Sequence, residues 1–248
     1  MNEPNLKKNM DYSVIIPAYN EEAWLPQTLL TLQDVMSRQA LTGEVIVVDN
    51  NSSDQTPHIA RANNARVVFE PVNQISRARN TGARAAQGRY FVFLDADTII
   101  TSALLQRALE HLSSGRCCGG GTLVDFERTL GFFEQKGLDF WNWISLTFDL
   151  AAGCFIYCLR EGFEAVGGFS QKVYASEEIW FSQNLRAWGN QRNQTFKILT
   201  DFRAVTSSRK LEWFSPLQLG LTVLVTMLFP FALRFRMPCA LWYYRPKR

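Results

Sequence analysis

The sequence predicts an α/β protein built on a mostly parallel sheet with helices on its faces. In the first half of the chain, short apolar runs alternate with segments of helical periodicity. The runs are apolar at consecutive positions, as expected of strands that are buried on both faces. Right-handed crossovers then bring the carboxyl ends of the parallel strands to one edge, where open α/β sheets bind ligands.

The predicted elements of the first half follow in alternating order. Pro17 ends the first apolar run, and Gly88 follows the last helix of this half, as turn and helix-end residues do. We expect strands at 12–16, 44–49, 66–69 and 89–94, and helices at 22–38, 54–62 and 77–86.

The second half is less regular and contains no internal repeat. Three consecutive glycines, 119–121, precede a predicted strand, and two carboxylates open a predicted helix at 177. We expect strands at 122–126, 153–159 and 196–206, and helices at 132–148 and 177–188.

Composition excludes several classes of protein. Hydrophobic residues make up 47% and charged residues 20% of the 248 residues, values typical of a globular domain and not of a disordered, collagenous or polytopic membrane chain. The net charge of +3 is too small to predict a nucleic-acid partner. The five cysteines contain no C-x-x-C pair, so we expect buried, reduced thiols and no zinc site.

Acidic side chains follow two of the predicted strands. Asp95 and Asp97 come directly after the fourth strand, and Asp49 ends the second. Two carboxylates one residue apart can share a Mg²⁺ or Mn²⁺ ion with substrate phosphates, and Asp49 can accept hydrogen bonds from a ribose or a base. The alternative is that these residues only cap loops.

Glycine-rich phosphate loops are missing from the first strand-to-helix turn. Residues 17–22 contain no glycine, and no P-loop pattern occurs in the chain. If a nucleotide binds here, a metal ion and basic side chains must hold its diphosphate.

Five segments together resemble the family 2 glycosyltransferases, non-processive members of the nucleotide-diphospho-sugar transferase (GT-A-like) fold. They occur in the order of that family and span roughly residues 11–210. The segments are VIIPAYNEE (14–22), EVIVVDNNSSDQT (44–56), SRARNTGARAAQGRYFVFLDADT (76–98), AGCFIYCLREGFEAVGGF (152–169) and EEIWF (177–181).

The resemblance implies a nucleotide-sugar site along the sheet edge. It implies that Asp49 accepts the base or ribose and that Asp95 and Asp97 form the D-x-D metal pair, with Asp97 the direct metal ligand and Asp95 nearer the ribose. The other residues that it places near the nucleotide sugar are Pro17, Ala18, Tyr19, Glu21, Arg79 and Asn80.

The resemblance also implies a catalytic base at Glu177 or Glu178. Many members have Glu-Asp at this position, and the second acid takes the acceptor proton; here the second residue is Glu178, so the assignment between the two stays open. A helix N-terminus that favours acids is the alternative. Arg209 falls where members place a loop near the diphosphate, although a solvated charge pair is the alternative there.

The resemblance implies inverting transfer of one sugar from a nucleotide-diphospho-sugar to a hydroxyl of a glycan or lipid-linked acceptor. A UDP-sugar is the donor that we expect first. A processive enzyme is not expected, because the Q-x-x-R-W motif is missed by one residue at 183–188. A catalytically inactive nucleotide-sugar-binding or scaffold protein on the same fold is the alternative.

The C-terminal segment differs from the rest of the chain. Residues 213–233 carry no charge, and residues 203–248 have a net charge of +7 against −4 for residues 1–202. We expect a polar extension at 1–10, a catalytic domain at 11–210 and an apolar, basic, helical segment at 211–248. That segment would hold the enzyme on the cytoplasmic side of a membrane, by spanning, re-entering or lying in the interface; packing on the domain or on a second subunit is the alternative.

Overall fold

The computed structural model describes residues 10–214, 218, 230–237, 239 and 243. The chain alternates strands and helices through most of this range. The strands are β1 (Tyr12–Ala18), β2 (Gly43–Asp49), β3 (Arg66–Phe69), β4 (Tyr90–Leu94), β5 (Thr98–Ile99), β6 (Cys117–Phe126), β7 (Phe155–Leu159) and β8 (Thr195–Thr206). The helices are α1 (Leu25–Ser37), α2 (Thr56–Ala62), α3 (Ile75–Ala85), α4 (Ser102–Ser113), α5 (Phe132–Phe148), α6 (Arg160–Ala165), α7 (Glu177–Asn190) and α8 (Arg209–Trp213).

These strands form one eight-stranded sheet in the order β3-β2-β1-β4-β7-β6-β8-β5. The first four strands of that order pair in parallel, as do β6 and β8, whereas β7 runs antiparallel to both of its neighbours. The predicted α/β sheet flanked by helices is confirmed. The reversal at β7 places the start of that strand beside the carboxyl end of β4, where the acidic pair lies.

Two apolar layers cover the sheet. One includes Leu29, Leu32, Leu105 and Leu109 from α1 and α4, and the other includes Phe163, Phe181 and Leu185 from α6 and α7. Helix α4 was not predicted from the sequence. Thr101 caps it by accepting a hydrogen bond of 3.1 Å from the amide of Leu104, a standard start signal for a helix.

The three glycines predicted to precede a strand lie inside β6. A Cβ atom at Gly120 would come within 1.8 Å of the carbonyl oxygen of Lys197 on β8. The backbones of β6 and β8 therefore approach more closely there than any larger residue permits.

The predicted terminal segments lie largely outside the described residues. This holds for residues 1–9 and for most of the uncharged stretch at 213–233. In the described part of the C-terminal segment, a 3₁₀ helix (Pro230–Arg234) precedes Cys239, and Leu233 and Cys239 pack against Val173 and Ala175. Among the described residues, no helix combines the length and the apolar character needed to cross a bilayer.

Candidate active site

The turn that carries Asp95 and Asp97 is fixed by its neighbours. The amide of Asp95 donates to the carbonyl of Cys154, just before β7, over 3.1 Å. The hydroxyl of Thr28 on α1 donates to the carbonyl of Ala96 over 2.8 Å. The two carboxylates are thus presented from a turn that is held on both sides.

Arg79 lies at the centre of the acidic residues. Its guanidinium donates to Glu177 over 2.6 Å through Nη1, and to Asp95 over 3.1 Å and the Gly153 carbonyl over 2.7 Å through Nη2. Arg79 is 1% exposed. The D-x-D turn, the start of β7 and the start of α7 therefore meet on one buried cation.

The charge of Arg79 is secured by the carboxylates around it. Burial acts to lower its pKa, but Asp95, Glu177 and Glu178 outweigh burial, and the pKa lies above its ordinary value. Burial also raises the pKa of Asp95, and the positive charge of Arg79 acts against this increase.

The two adjacent glutamates at the start of α7 have different environments. Glu177 is buried in the ion pair with Arg79. Glu178 is half-buried; Arg79 pairs with Asp95 and Glu177 rather than with Glu178, although its charge acts to lower the pKa of Glu178. Burial, followed by the charge of Glu177, raises the pKa of Glu178 to about 8. Burial also raises the pKa of Glu177, against the charge of Arg79, so it is the ion pair of Glu177 that leaves Glu178 as the candidate for proton exchange near neutral pH.

Ser176, the residue before α7, sets the direction in which the chain enters the helix. Its backbone is in the left-handed region, with φ of 61°, a conformation that costs free energy for a non-glycine residue. The chain therefore turns sharply into the helix, and both glutamates fall in its first turn.

Arg209 forms a second buried cation on the other side of the acidic turn. Its guanidinium donates to both carboxylate oxygens of Glu21 and lies 3.0 Å from Asp97. The hydroxyl of Ser207 also donates to Asp97. Since Arg209 is only 6% exposed, the alternative of a solvated charge pair is wrong for this residue.

The predicted nucleotide-base residues lie at the ends of two paired strands. Ala18 and Asp49 are direct partners in the register of β1 and β2. Pro17 and Tyr19, on either side of Ala18, are half-buried. Asp49 accepts a hydrogen bond of 2.9 Å from the amide of Ser52, so it also forms the loop turn that was its alternative role.

Two predicted binding residues are engaged in holding the site together. Asn80 exchanges two hydrogen bonds with the backbone of Phe169, of 2.8 and 3.0 Å. Glu21 is buried against Arg209. In the structure both residues therefore position loops and charges, and any contact of theirs with a ligand stays a prediction.

Three residues that help to hold the site have no role that the sequence alone predicts. Ser207 contacts Asp97, the carbonyl of Gly153 holds Arg79, and Asn50 bonds the loop after β3 through the carbonyls of Glu70 and Val72. Ser207 is next to Ser208-Arg209, and Gly153 stands in a segment quoted for the resemblance, so proximity to those residues was the available signal.

The residues present fit a divalent ion that binds together with a diphosphate. Within the described ranges, no group of three or more His, Cys, Asp and Glu side chains could hold a metal ion by itself. Asp95 and Asp97 supply two carboxylates, the hard ligands that Mg²⁺ and Mn²⁺ take alongside substrate phosphates. Because Asp97 also pairs with Arg209, a bound metal ion and the guanidinium of Arg209 would both contact the carboxylate of Asp97.

An α/β sheet whose acidic residues and buried arginines meet at the carboxyl edge defines an enzyme domain that handles a charged ligand there. The chain belongs to glycosyl transferase family 2, whose family model matches residues 13–161. The match includes Arg79, Asp95 and Asp97, whereas Glu177, Glu178 and Arg209 lie beyond it.

Individual relatives and solved structures agree with this assignment. The chain is 36% identical over 105 residues to the uncharacterized glycosyltransferase EpsJ of Bacillus subtilis (strain 168). The matched residues make up 40% of this chain and 29% of EpsJ. It is 32% identical over 108 residues to the poly(ribitol-phosphate) beta-N-acetylglucosaminyltransferase TarS of Staphylococcus aureus (strain Mu50). The matched residues make up 40% of this chain and 18% of TarS. The chain thus matches less than a third of the length of these two relatives.

Solved structures show the same fold at lower identity. The mannosyltransferase PcManGT from Pyrobaculum calidifontis, in complex with GDP-Man and Mn²⁺, superposes with a TM-score of 0.65 at 22% identity, over 81% of this chain and 58% of that one. Residues 1-349 of S. aureus TarS in complex with UDP-GlcNAc give a TM-score of 0.59 at 20% identity, over 80% of this chain and 59% of that one.

Proposed function

We propose that the chain is an inverting glycosyltransferase that moves one sugar from a nucleotide-diphospho-sugar to an acceptor hydroxyl. The observation that carries the proposal is the unequal pairing of Glu177 and Glu178. One glutamate is locked in an ion pair with Arg79, and the other has a pKa of about 8, which suits a general base near neutral pH.

The leaving group would be stabilised at the acidic turn and Arg209. In sugar transfer the bond between the anomeric carbon and the diphosphate breaks as negative charge gathers on the diphosphate. Arg209 is a buried, charged donor beside Asp97 and would lie near that charge. Asp95 and Asp97 would hold a Mg²⁺ or Mn²⁺ ion, which supplies Lewis-acid stabilisation of the diphosphate when bound.

The proton of the acceptor hydroxyl would pass to the carboxylate of Glu178 as the new bond to the anomeric carbon forms. A single displacement from the face opposite the diphosphate inverts the configuration of that carbon. Arg79 does not take part in proton transfer, since its charge is held by Asp95 and Glu177. It would keep the D-x-D turn and the first turn of α7 at a fixed separation.

The donor and the acceptor are proposed at the level of chemical class. The two solved structures described above are complexes with GDP-Man and UDP-GlcNAc, which supports a nucleotide-diphospho-sugar donor; we propose a UDP-sugar as the first to test. We propose a glycan or lipid-linked hydroxyl as acceptor, at the cytoplasmic face of a membrane. The basic, apolar segment 211–248 supports this location.

A panel of UDP- and GDP-sugars, with and without Mn²⁺, tests the proposal by thermal shift and by calorimetry. We expect one nucleotide class to raise the melting temperature, with a larger shift when Mn²⁺ is present. If no member of the panel binds, a scaffold protein on the same fold becomes the better explanation. If a donor binds but is neither transferred nor hydrolysed by the wild-type chain, the catalytic role is overturned and only binding is kept.

A further inference from the structure

The outer face of α5 exposes an unusual number of large apolar side chains. Phe132 and Phe133 are 71% and 81% exposed, and Phe140, Trp143 and Phe148 are each more than half exposed. Phe140 stacks on Trp143 with ring centroids 5.9 Å apart. Isolated exposed apolar residues are ordinary, but a continuous exposed patch marks an interaction surface.

These aromatic side chains do not contribute to the packing of α5 on the domain. The buried side of the helix consists of Leu138, Asn142 and Ser145. Asn142 anchors it by exchanging two hydrogen bonds of 3.1 Å with the backbone of Val124 on β6. Leu138 and the half-buried Trp141 pack α5 on the apolar core, while the large aromatic side chains on its other side are turned outward, where an ordinary surface helix carries polar residues.

The start of α5 lies beside the point where the C-terminal segment leaves the domain. Arg128 donates to Glu134 in the first turn of α5 over 2.8 Å, and to the hydroxyl of Ser208 over 2.9 Å. It also lies 4.0 Å from Glu212 on α8. The first turn of α5 therefore lies close to the point where the uncharged stretch at 213–233 begins.

We propose that α5 lies in the plane of a membrane and inserts its aromatic face into the boundary between headgroups and acyl chains. Aromatic residues favour that boundary, and basic residues favour anionic headgroups. Lys136 supplies a cation within the face, with Nζ 5.8 Å from the centroid of Phe132. The net charge of +7 over residues 203–248 adds attraction of the chain to an anionic surface. The partner is an anionic lipid surface.

This inference extends the proposed membrane location from the C-terminal segment to a second element, and it does not depend on the transfer reaction. Its test uses the full chain and vesicles of phosphatidylcholine, alone or mixed with phosphatidylglycerol. The variant F133S/F140S/W143S changes only exposed side chains of α5. Its matched control, L30S/F69S/V72S, changes three exposed apolar side chains elsewhere.

We expect the α5 variant to bind mixed vesicles at least about tenfold more weakly than the wild type, and the control to bind like the wild type. Unchanged melting temperatures would show that both variants fold. Vesicle binding by the α5 variant equal to that of the wild type would overturn the proposal while leaving the transferase proposal intact.

A second measurement distinguishes a lipid from another copy of the chain. An environment-sensitive fluorophore is attached to F140C, since the five native cysteines are buried. A blue shift on addition of mixed vesicles at constant protein concentration supports insertion. A blue shift that follows protein concentration without vesicles would show that a second copy covers the face, and would overturn the proposal.

Discussion

The guanidinium of Arg79 lies 2.6 Å from the carboxylate of Glu177, and this contact gives two adjacent glutamates different surroundings. Glu177 compensates a buried cation, whereas Glu178, one residue further along the first turn of α7, has its pKa raised to about 8. The resemblance to family 2 glycosyltransferases left both residues as candidates for the base. The ion pair is the reason for proposing Glu178.

The first prediction separates the two glutamates. We expect E178Q to bind the donor like the wild type and to lose about 10²–10⁴-fold in transfer rate, the usual size of general-base assistance. We expect E177Q to lose stability by about 3–5 kcal/mol, because it breaks a buried ion pair from one side. Kinetics and urea denaturation measure the two effects. Transfer lost in E177Q at full stability, with E178Q active, would reverse the assignment.

The second prediction concerns the pH dependence of transfer. Glu178 accepts a proton only when it is ionised, so the rate should rise with pH and level off above an apparent pKa near 8. Below that pKa the rate should fall about tenfold per pH unit. A profile of the donor-saturated rate checks this. A wild-type rate that is flat across this range would exclude Glu178 as the base.

Stability should respond to pH in the opposite direction. The pKa of Glu178 is higher in the folded chain than its ordinary value of 4.5, so the folded state binds more protons. This group's contribution to stability is therefore fully present below its ordinary pKa and is lost as pH rises through about 8. The melting temperature of E178Q should fall less than that of the wild type between mildly acidic and alkaline pH. A parallel fall in both proteins would contradict the raised pKa.

The fourth prediction tests the metal ligand. Replacing Asp97 by alanine removes one of the two carboxylates at the turn, while Glu21 continues to pair with Arg209. We expect D97A to fold and to lose the additional stabilisation that Mn²⁺ gives to donor binding; donor at about a hundredfold excess over its Kd stabilises the wild type by about 2.7 kcal/mol in total. The exposed residue Asp201 provides the matched control D201A. Equal Mn²⁺-dependent thermal shifts in D97A and D201A would exclude the assignment.

The fifth prediction concerns the charge of Arg209. R209A removes the buried cation that pairs with both Glu21 and Asp97, and we expect a loss of about 3–5 kcal/mol. The double variant R209M/E21M removes both charges and should recover most of that stability, but it should still bind a nucleoside diphosphate more weakly. Binding of the corresponding nucleoside, which has no diphosphate, should be unchanged. A nucleoside diphosphate bound equally by the wild type and the double variant would remove Arg209 from the diphosphate site.

Much of the fold was predictable because it depends on local patterns. Every strand expected in the first half is present, and the helix at Phe132–Phe148 has the predicted ends, since apolar periodicity, prolines and glycines act over a few residues. Helix α4 was missed although its cap, Thr101, stands in the sequence. The antiparallel direction of β7 could not be predicted, because it depends on pairing between segments that are distant along the chain.

The candidate site divides in the same way. The sequence by itself determined which chemical groups the site contains: carboxylates after β2 and β4, two acids at the start of α7 and arginines at 79 and 209. Only the tertiary structure decided how these charges are paired. Arg79 pairs with Glu177, which is 98 residues away in the sequence, and Arg209 pairs with Glu21, which is 188 residues away. Residue types persist in any conformation, but burial and charge pairing, which set the pKa of Glu178, exist only once the chain has folded.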